Sequence, residues 1–461
     1  MALSRVTNDL KSRMVDLLSS DFDSAENNYY IAIGRPYPWV GTVPAPDADP
    51  APSLRDVRAG LMSYKIAGNN SAVVGQVSWT LNETYYPYDD EYSSQSTSFY
   101  VVNSNNEVFL CIENGKNSAG SPVPSSVEPT KPATEKIKTF KTSDGYHWRF
   151  LYQLSPFAVT QFSSLDYIPV KKVGASPVIN EEIEQLTLQD SAIRGQVLSV
   201  QIIDGGANYT SPTISFSTTG TGNGGVGRDS DEDGNALGFS VVQSGGVITA
   251  VKLDSDNSGK IIHGSQISDI KFTITDGGSG AGAIVRPVFP PSLGLNADPR
   301  TTLRSDALMI KTEFQDTELG VLLAQNDFRT LALVRNPRIP GAGLFNGNTA
   351  NAMKIANLSG ISGSFNPDEI FTQSSSGAQG YVVALDGTEL YYVQNSSTGF
   401  ADLSLTSITT PSGGLATVAS ITSPDVDVQT GDLLFVTNHT EDSAIPRSGT
   451  QTEDVRLIIQ F

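Results

Sequence analysis

The stretch Asp144–Pro156, DGYHWRFLYQLSP, decides the fold class. Asp144-Gly145 is a turn signal, and the residues that follow alternate. Side chains point to opposite faces along a strand. Tyr146, Trp148, Phe150 and Tyr152 therefore share one face, and His147, Arg149 and Leu151 take the other. A wholly aromatic face suits a core or an interface. Core is the preferred reading, because large apolar side chains are mostly buried. The same grammar extends outward in both directions. Short β-branched and aromatic runs, cut by Gly, Pro, Asn and Ser, occur at Tyr29–Ile33, Ser98–Ile112, Trp148–Leu154, Thr330–Val334 and Val455–Phe461. In the last of these, Val455, Leu457 and Ile459 share a face. Strands at this spacing predict a mainly β protein, a β-sandwich core with a few short helices.

Helical periodicity is scarce. Val6, Leu10, Met14 and Leu17 or Leu18 predict an amphipathic helix near 4–19. Ser53 is a candidate N-cap for a helix carrying Leu54, Val57, Leu61 and Met62. Asp298-Pro299 can open a single turn.

Two stretches differ in composition from the rest. Residues 197–289 are Gly-rich and contain a weak repeat: VLSVQIIDGGANY, GGVITAVKLDSDNSG and SDIKFTITDGGSG. Each is a period-2 alternation ending in Asp and glycines, which predicts an inserted β-meander. Residues 346–425 carry YVVALDGTELYYV, where Asp386-Gly387 between apolar runs is a type I′ hairpin signal. This predicts a second, small all-β insert. The core then comprises 1–196, 290–345 and the C-terminal strands of 426–461. Residues 114–136, rich in Pro and Ser, read as a long surface loop.

Composition excludes several classes. At roughly 150 residues per domain, 461 residues imply about three folding units. With 38% hydrophobic and 17% charged residues, the chain is not of the disordered type. Lys+Arg 30 against Asp+Glu 49, a net −19, argues against nucleic acid and against an anionic membrane surface as partners. Acidic residues outnumber basic ones in both inserts and in the remainder, which fits solubility better than a charged binding arm. No apolar run reaches 18 residues, and the N-terminal stretch reads as a helix, not a signal peptide. Cys111 is the single cysteine, so no intrachain disulfide forms and a reducing cytoplasm is the expected site of synthesis.

Chemistry-bearing motifs are weak. His147, His263 and His439 fall in different predicted units and assign no catalytic or metal site. GTGNGG at 220–225 matches G-x-G-x-x-G but is followed by an acidic loop instead of a helix, so it reads as a turn. Asp229, Asp231 and Asp233 with Gly234 mimic the opening of a calcium loop, yet Ser240 stands where the bidentate Glu belongs. Asp254, Asp256, Ser258 and Gly259 echo it, again with a serine, Ser265, at position 12. Calcium at the first loop stays an open reading beside a solvated acidic turn. The aromatic run 79–100 is interleaved with Glu83, Asp89, Asp90 and Glu91, which disfavours stacking on nucleic acid. It leaves sugar binding or packing against a neighbour. No catalytic residue, cofactor or metal ligand is assigned.

Four stretches taken in order, Ile31–Trp39 (IAIGRPYPW), Asp144–Pro156, Asn326–Pro337 (NDFRTLALVRNP) and the C-terminal segment from Gly431, resemble the baseplate wedge subunit eight family of T-even-type contractile-tailed bacteriophages. The resemblance covers about 1–175, 300–345 and 426–461, and the two β-rich stretches fall in its gaps. It implies a β-sandwich core, no catalysis, a homodimer, and contacts with other wedge proteins in the virion's tail baseplate, after synthesis in the host cytoplasm. The competing reading is a tail-associated adhesin that binds host glycans through the inserts and the Tyr-rich run. A polysaccharide-degrading tail enzyme ranks last, because nothing in the sequence pairs two carboxylates across a groove.

Overall fold

The structure, a computed structural model, describes residues 6–34, 54–91, 98–134, 139–192, 194–218, 238–253, 270–315, 327–328, 330–394, 401–438, 445–446 and 452–461. Several positions singled out above lie outside them: Arg35–Trp39, Ser53, the 220–225 turn, Asp229, Asp231, Asp233, Gly234, Asp254–Gly259, His263, Ser265 and His439. The protein is mainly β, with multiple sheets and one small closed barrel. It divides into two compact units. One comprises Met1–Asp16, Ser71–Met309 and Ile459–Phe461, and the other Leu17–Asn70 and Ile310–Ile458.

The first unit is built on a four-stranded antiparallel sheet in the order Tyr100–Val102, Glu107–Glu113, His147–Gln153, Phe140–Lys141. The run Ser98–Ile112 splits into two strands because Asn103 turns the chain. Its Oδ1 accepts from the amides of Asn105 and Glu107, both at 2.9 Å, and Asn106 takes a left-handed φ of 59°. The aromatic alternation packs inward. Tyr146 stacks on Trp148 at 5.5 Å, Tyr85 meets Trp148 edge-on at 5.7 Å, and Phe109 faces Phe150. Val101, Cys111 and Leu188 complete this core. The opposite face of the same strand is buried as well, which places His147, Arg149 and Leu151 in the interior. The Pro/Ser-rich loop is pinned: the Asp144 carboxylate accepts from Ser125 Oγ and from the amides of Ser126 and Val127. Asp298 caps the short helix Pro299–Thr302 by accepting from the Arg300 amide at 3.0 Å.

The Gly-rich stretch forms six strands, Ser199–Ala207, Pro212–Thr218, Phe239–Ser244, Val247–Leu253, Ile270–Asp276 and Ala281–Val288. Their pairing is nested, first with sixth, second with fifth, third with fourth, and so is not that of a meander. The chain makes one long hairpin whose two arms bend together. Asp276 ties the bends, accepting from the amides of Thr210 (3.1 Å) and Ser211 (2.7 Å) on one arm and of Gly278 (3.0 Å) and Gly280 (3.1 Å) on its own. Gly280 lies flat on Tyr209, where a Cβ would come within 2.5 Å of the ring. The tip, Gly245-Gly246, has φ of 62° and 81°, the I′ pattern.

In the second unit a five-stranded antiparallel sheet runs Thr349–Asn351, Leu61–Ile66, Tyr29–Gly34, Thr330–Arg335, Asp432–Asn438. Tyr30, Ala32, Tyr64, Ala332, Val334 and Ala350 bury one face of it. The expected helix through Met62 is shorter, Leu54–Ala59. Gly60 ends it: its amide returns to the carbonyls of Asp56 and Val57, and Leu61 begins a strand. Gly34 passes so close that a Cβ there would meet the Gly60 carbonyl at 2.6 Å.

The strands Lys354–Ser362, Ile370–Gln373, Ala378–Asp386, Glu389–Val393, Ser407–Thr409 and Leu415–Thr422 close into the barrel. Its interior holds Leu358, Phe371, Val382, Leu390, Tyr392 and Val418, among others. The hairpin at Asp386-Gly387 is present, but its two loop residues are Gly387 and Thr388, between the paired Asp386 and Glu389. Positive φ is confined to Gly387, at 58°, which makes the turn II′ and not I′.

The N-terminal helix spans Asn8–Phe22. Its apolar stripe does not face inward. Val6, Leu10, Met14 and Leu17 are 57%, 49%, 40% and 71% exposed, whereas Ser12 and Val15 are buried. Polar contacts set this roll: Lys11 Nζ bonds Asp306 at 3.0 Å, and Ser12 Oγ donates to the Ser305 carbonyl at 2.8 Å.

Candidate functional site

Buried charge in the first unit gathers where the aromatic sheet meets the Gly-rich strands. Glu113 ends the strand Glu107–Glu113, every residue of which is buried. One of its oxygens accepts from the Leu253 amide at 2.8 Å and the other from Lys116 Nζ at 2.9 Å. Lys116 also reaches the Val251 carbonyl at 3.3 Å. Burial raises the Glu113 carboxyl above its ordinary range, opposed by Lys116 and the Leu253 N–H.

His147 Nδ1 lies 3.5 Å from the Glu113 oxygen that accepts from Leu253, and neither ring nitrogen has a hydrogen-bond partner. Burial drives its pKa down to about 3, with Lys141 and Lys116 acting in the same direction. The ring is therefore neutral at pH 7, and the contact with Glu113 is not an ion pair. Arg149, on the same face, is lowered to about 9 by burial, and its Nε donates to Asn296 Oδ1 at 2.9 Å. Asn296 in turn donates to the Phe150 carbonyl.

A second cluster centres on Arg286, which bonds Asp89 and, at 2.8 Å, Asp90. Gln201 Nε2 donates to the other Asp89 oxygen at 2.8 Å, and its carbonyl oxygen accepts from Arg286 at 3.0 Å. Burial works to raise Asp89, but hydrogen bonds from Arg286, the Glu91 amide and Gln201 outweigh it and hold the carboxyl below its usual range. Arg304 also donates to the Asp89 carbonyl while its guanidinium lies over Tyr88 and Phe99, at 5.5 and 5.1 Å.

Between the clusters is a cleft of about 190 Å³, lined by Pro87, Ile112, Glu113, Lys116, Gln201 and Phe239 among others. The arrangement holds one layer of chain against another. Among the described residues, no group of three or more His, Cys, Asp or Glu could hold a metal ion, and no helix is long and apolar enough to cross a membrane. In the second unit a cleft of about 350 Å³ is lined by Lys354, Tyr392, Gln394 and Asp427 among others, and Lys354 is already bonded to Gln394 and Asp402, both at 3.0 Å.

Among its described residues the aromatic run 79–100 does not present a stacking surface; Tyr92 lies outside them. Tyr85, Tyr88, Phe99 and Tyr100 are buried, Trp79 is half-buried with its Nε1 donating to Ser125 Oγ, and Tyr86 is exposed. Sequence reasoning had no role for Glu113, Lys116, Gln201 or Arg286. The available signal was a charge inside a strand pattern: Glu113 closing EVFLCIE, and Arg286 within AGAIVRPV.

Three of the four family-like stretches converge although they span some four hundred residues of sequence. Ile31 pairs with Leu333, and Leu333 with Phe435, in one sheet. Comparison with known proteins gives no matching family model and no matching curated protein.

Proposed function

We propose that this chain is a structural subunit of a phage contractile-tail baseplate wedge, linking neighbouring baseplate proteins and accommodating their rearrangement when the tail contracts. It acts in the virion as a homodimer and performs no chemistry. The observation that carries the reading is the ordered set of four stretches, three of which supply adjacent strands of one sheet. Such residues are architecture. Two further features fit an associating protein. Tyr85, Tyr88, Phe99 and Tyr100 of the aromatic run are spent on packing, and the stripe Val6, Leu10, Met14, Leu17 is apolar surface of the kind that marks protein contacts.

The test is size-exclusion chromatography with light scattering on the purified chain, alone and mixed with baseplate proteins of the same phage. A dimer that enters a defined larger complex is expected. A monomer or trimer that ignores those proteins and binds host cells would replace the proposal with the adhesin.

A further inference from the structure

We infer that Asn346-Gly347 is a site of spontaneous covalent modification, at which Asn346 passes through a succinimide to isoaspartate and aspartate without a catalyst. The sequence holds three Asn-Gly pairs, Asn114-Gly115, Asn223-Gly224 and Asn346-Gly347. The second lies outside the described residues. In such a pair the backbone nitrogen of the glycine attacks Cγ of the asparagine. The N–Cγ bond forms, the Cγ–Nδ2 bond breaks, and the amide proton leaves with the Nδ2 group as ammonia. Water then opens the ring at either carbonyl. A following glycine has no Cβ and so leaves its nitrogen open to close approach. The reaction therefore needs a free carboxamide, a free N–H and water at both.

Asn346 meets these conditions and Asn114 does not. Asn346 is exposed, and among the described residues neither its carboxamide nor the Gly347 N–H has a hydrogen-bond partner. Asn114 is 4% exposed, and the buried Gly115 packs so closely on the Asp144 carbonyl that a Cβ would stand 2.6 Å from it. Packing also requires Gly347, where a Cβ would stand 2.6 Å from the Phe345 ring, so the glycine has a structural role whether or not the pair reacts. The backbone on either side of Asn346 is pinned. The Phe345 amide donates to the Pro337 carbonyl at 2.8 Å, and the Asn348 carbonyl accepts from the Ile66 amide at 2.8 Å. Between them the Tyr30 hydroxyl bridges the carbonyls of Phe345 and Gly347, at 3.2 and 3.0 Å. Isoaspartate inserts an extra main-chain carbon between those two carbonyls, so the bridge no longer spans both. The loss passes to Asn348 and to Thr349–Asn351, the edge strand beside Leu61–Ile66. Aspartate leaves the length of the main chain unchanged and keeps the bridge.

Peptide mapping of the folded full chain, incubated at mildly alkaline pH and corrected by a zero-time sample, tests this. Cleavage after Arg338 and Lys354 isolates the peptide carrying Asn346, fragmentation locates the change, and enzymatic methylation counts isoaspartate. Asn346 should convert at least about ten-fold faster than Asn114, the factor that about 1.4 kcal/mol of local opening imposes on a buried group. In denaturant the two pairs should convert at similar rates, because only the fold separates them. Equal rates in the folded chain, or conversion of Asn346 in the denatured chain alone, would overturn the inference. The Ile66 amide supplies the structural readout, because its acceptor is the Asn348 carbonyl. Its hydrogen exchange should quicken in incubated native protein in proportion to isoaspartate. In Asn346→Gln, whose longer side chain closes the ring far more slowly, it should stay constant. An Ile66 amide indifferent to isoaspartate would refute the loosening of the edge strand.

Discussion

The barrel of Lys354–Thr422 and the Gly-rich arm of Ser199–Val288 are similar as sequences and opposite as structures. Both are short apolar alternations among Gly, Ser, Thr and Asn. In the barrel the strands close on one another, so every inward side chain meets another from the same module: Phe371 packs edge-on against Tyr392 at 5.3 Å, and Leu358, Val382, Leu390 and Val418 surround them. In the arm, strands pair two by two in separate sheets. Phe272 gathers Phe216 and Phe239 at 5.7 and 5.3 Å, but Ile203 and Ile284 are left exposed. Closure concentrates apolar burial in one place, and a nested hairpin spreads it along a line. A module of the second kind depends on its bends and tips and on cover from its neighbours, as where Pro87 and Ile112 share a cleft with Val200, Val251 and Leu253.

The sharpest way to break this comparison is to empty the barrel. Phe371→Ala removes a fully buried ring and should cost about 3–5 kcal/mol, the range for large-to-small changes in a core. Hydrogen exchange would register it as lost protection across Lys354–Thr422, with the strands of the arm unaffected. Loss in both places at once would mean that the barrel is not an autonomous core.

Acidification tests the aromatic sheet instead of the barrel. His147 titrates near 6.5 when unfolded and at about 3 when folded. Between those values the unfolded chain binds the additional proton, so the stability that depends on the neutral ring is complete above about pH 6.5 and is lost as pH falls toward 3. The slope can approach about 1.4 kcal/mol per pH unit. Glu113, raised by burial, has the opposite sign: its stabilising contribution is lost as pH rises through its folded pKa. The difference between native protein and His147→Gln isolates the histidine. That difference, from denaturant unfolding monitored through the buried Trp148, should change progressively below pH 6.5. A pH-independent difference would show that His147 carries no such linkage.

Gly280→Ala probes the bend of the arm. The added methyl would sit 2.5 Å from the Tyr209 ring and 2.8 Å from its Cα, and the backbone atom cannot move aside as a side-chain tip can. Overpacking of this kind costs about 1–3 kcal/mol. Exchange at the Thr210 and Ser211 amides, both held by Asp276, should rise while the barrel stays protected.

The legibility of the sequence followed the same physical divide. Period-2 alternation is local, so Tyr146, Trp148, Phe150 and Tyr152 could be assigned to one face before any partner was known; the first three pack together, whereas Tyr152, beyond a register shift, is buried with its hydroxyl on the Pro169 carbonyl. Turn residues are local too, which is why Asp298-Pro299 and the Asp386-Gly387 hairpin are found in place. Partner choice is not local. Nothing in the Gly-rich repeat distinguishes sequential from nested pairing, because each strand pattern is compatible with either. The outward roll of the N-terminal helix was equally hidden, since it depends on Lys11 meeting Asp306 almost three hundred residues away. Glu113 and Arg286 drew no reading from the sequence, because their partners, Lys116 and the Leu253 amide for one and Asp89 and Asp90 for the other, are set by the packing of separate segments.

The smallest expected effect sharpens the turn chemistry. Gly387 has φ of 58°, and a Cβ added there would find nothing within 4 Å, so Gly387→Ala meets backbone strain and no collision. That strain is about 1 kcal/mol, and it falls on a hairpin whose strands are already enclosed in a barrel. Protection at Ala378–Asp386 and Glu389–Val393 should drop by about five-fold or less. At the arm's tip, Gly245→Ala places the same methyl in equally open space, at φ of 62°. Among the described residues no third strand pairs with its hairpin, so the same strain should be felt there as a larger loss of protection. Equal responses at the two turns would mean that closure adds nothing to the barrel's hairpin, and that the contrast between the modules lies in their cores alone.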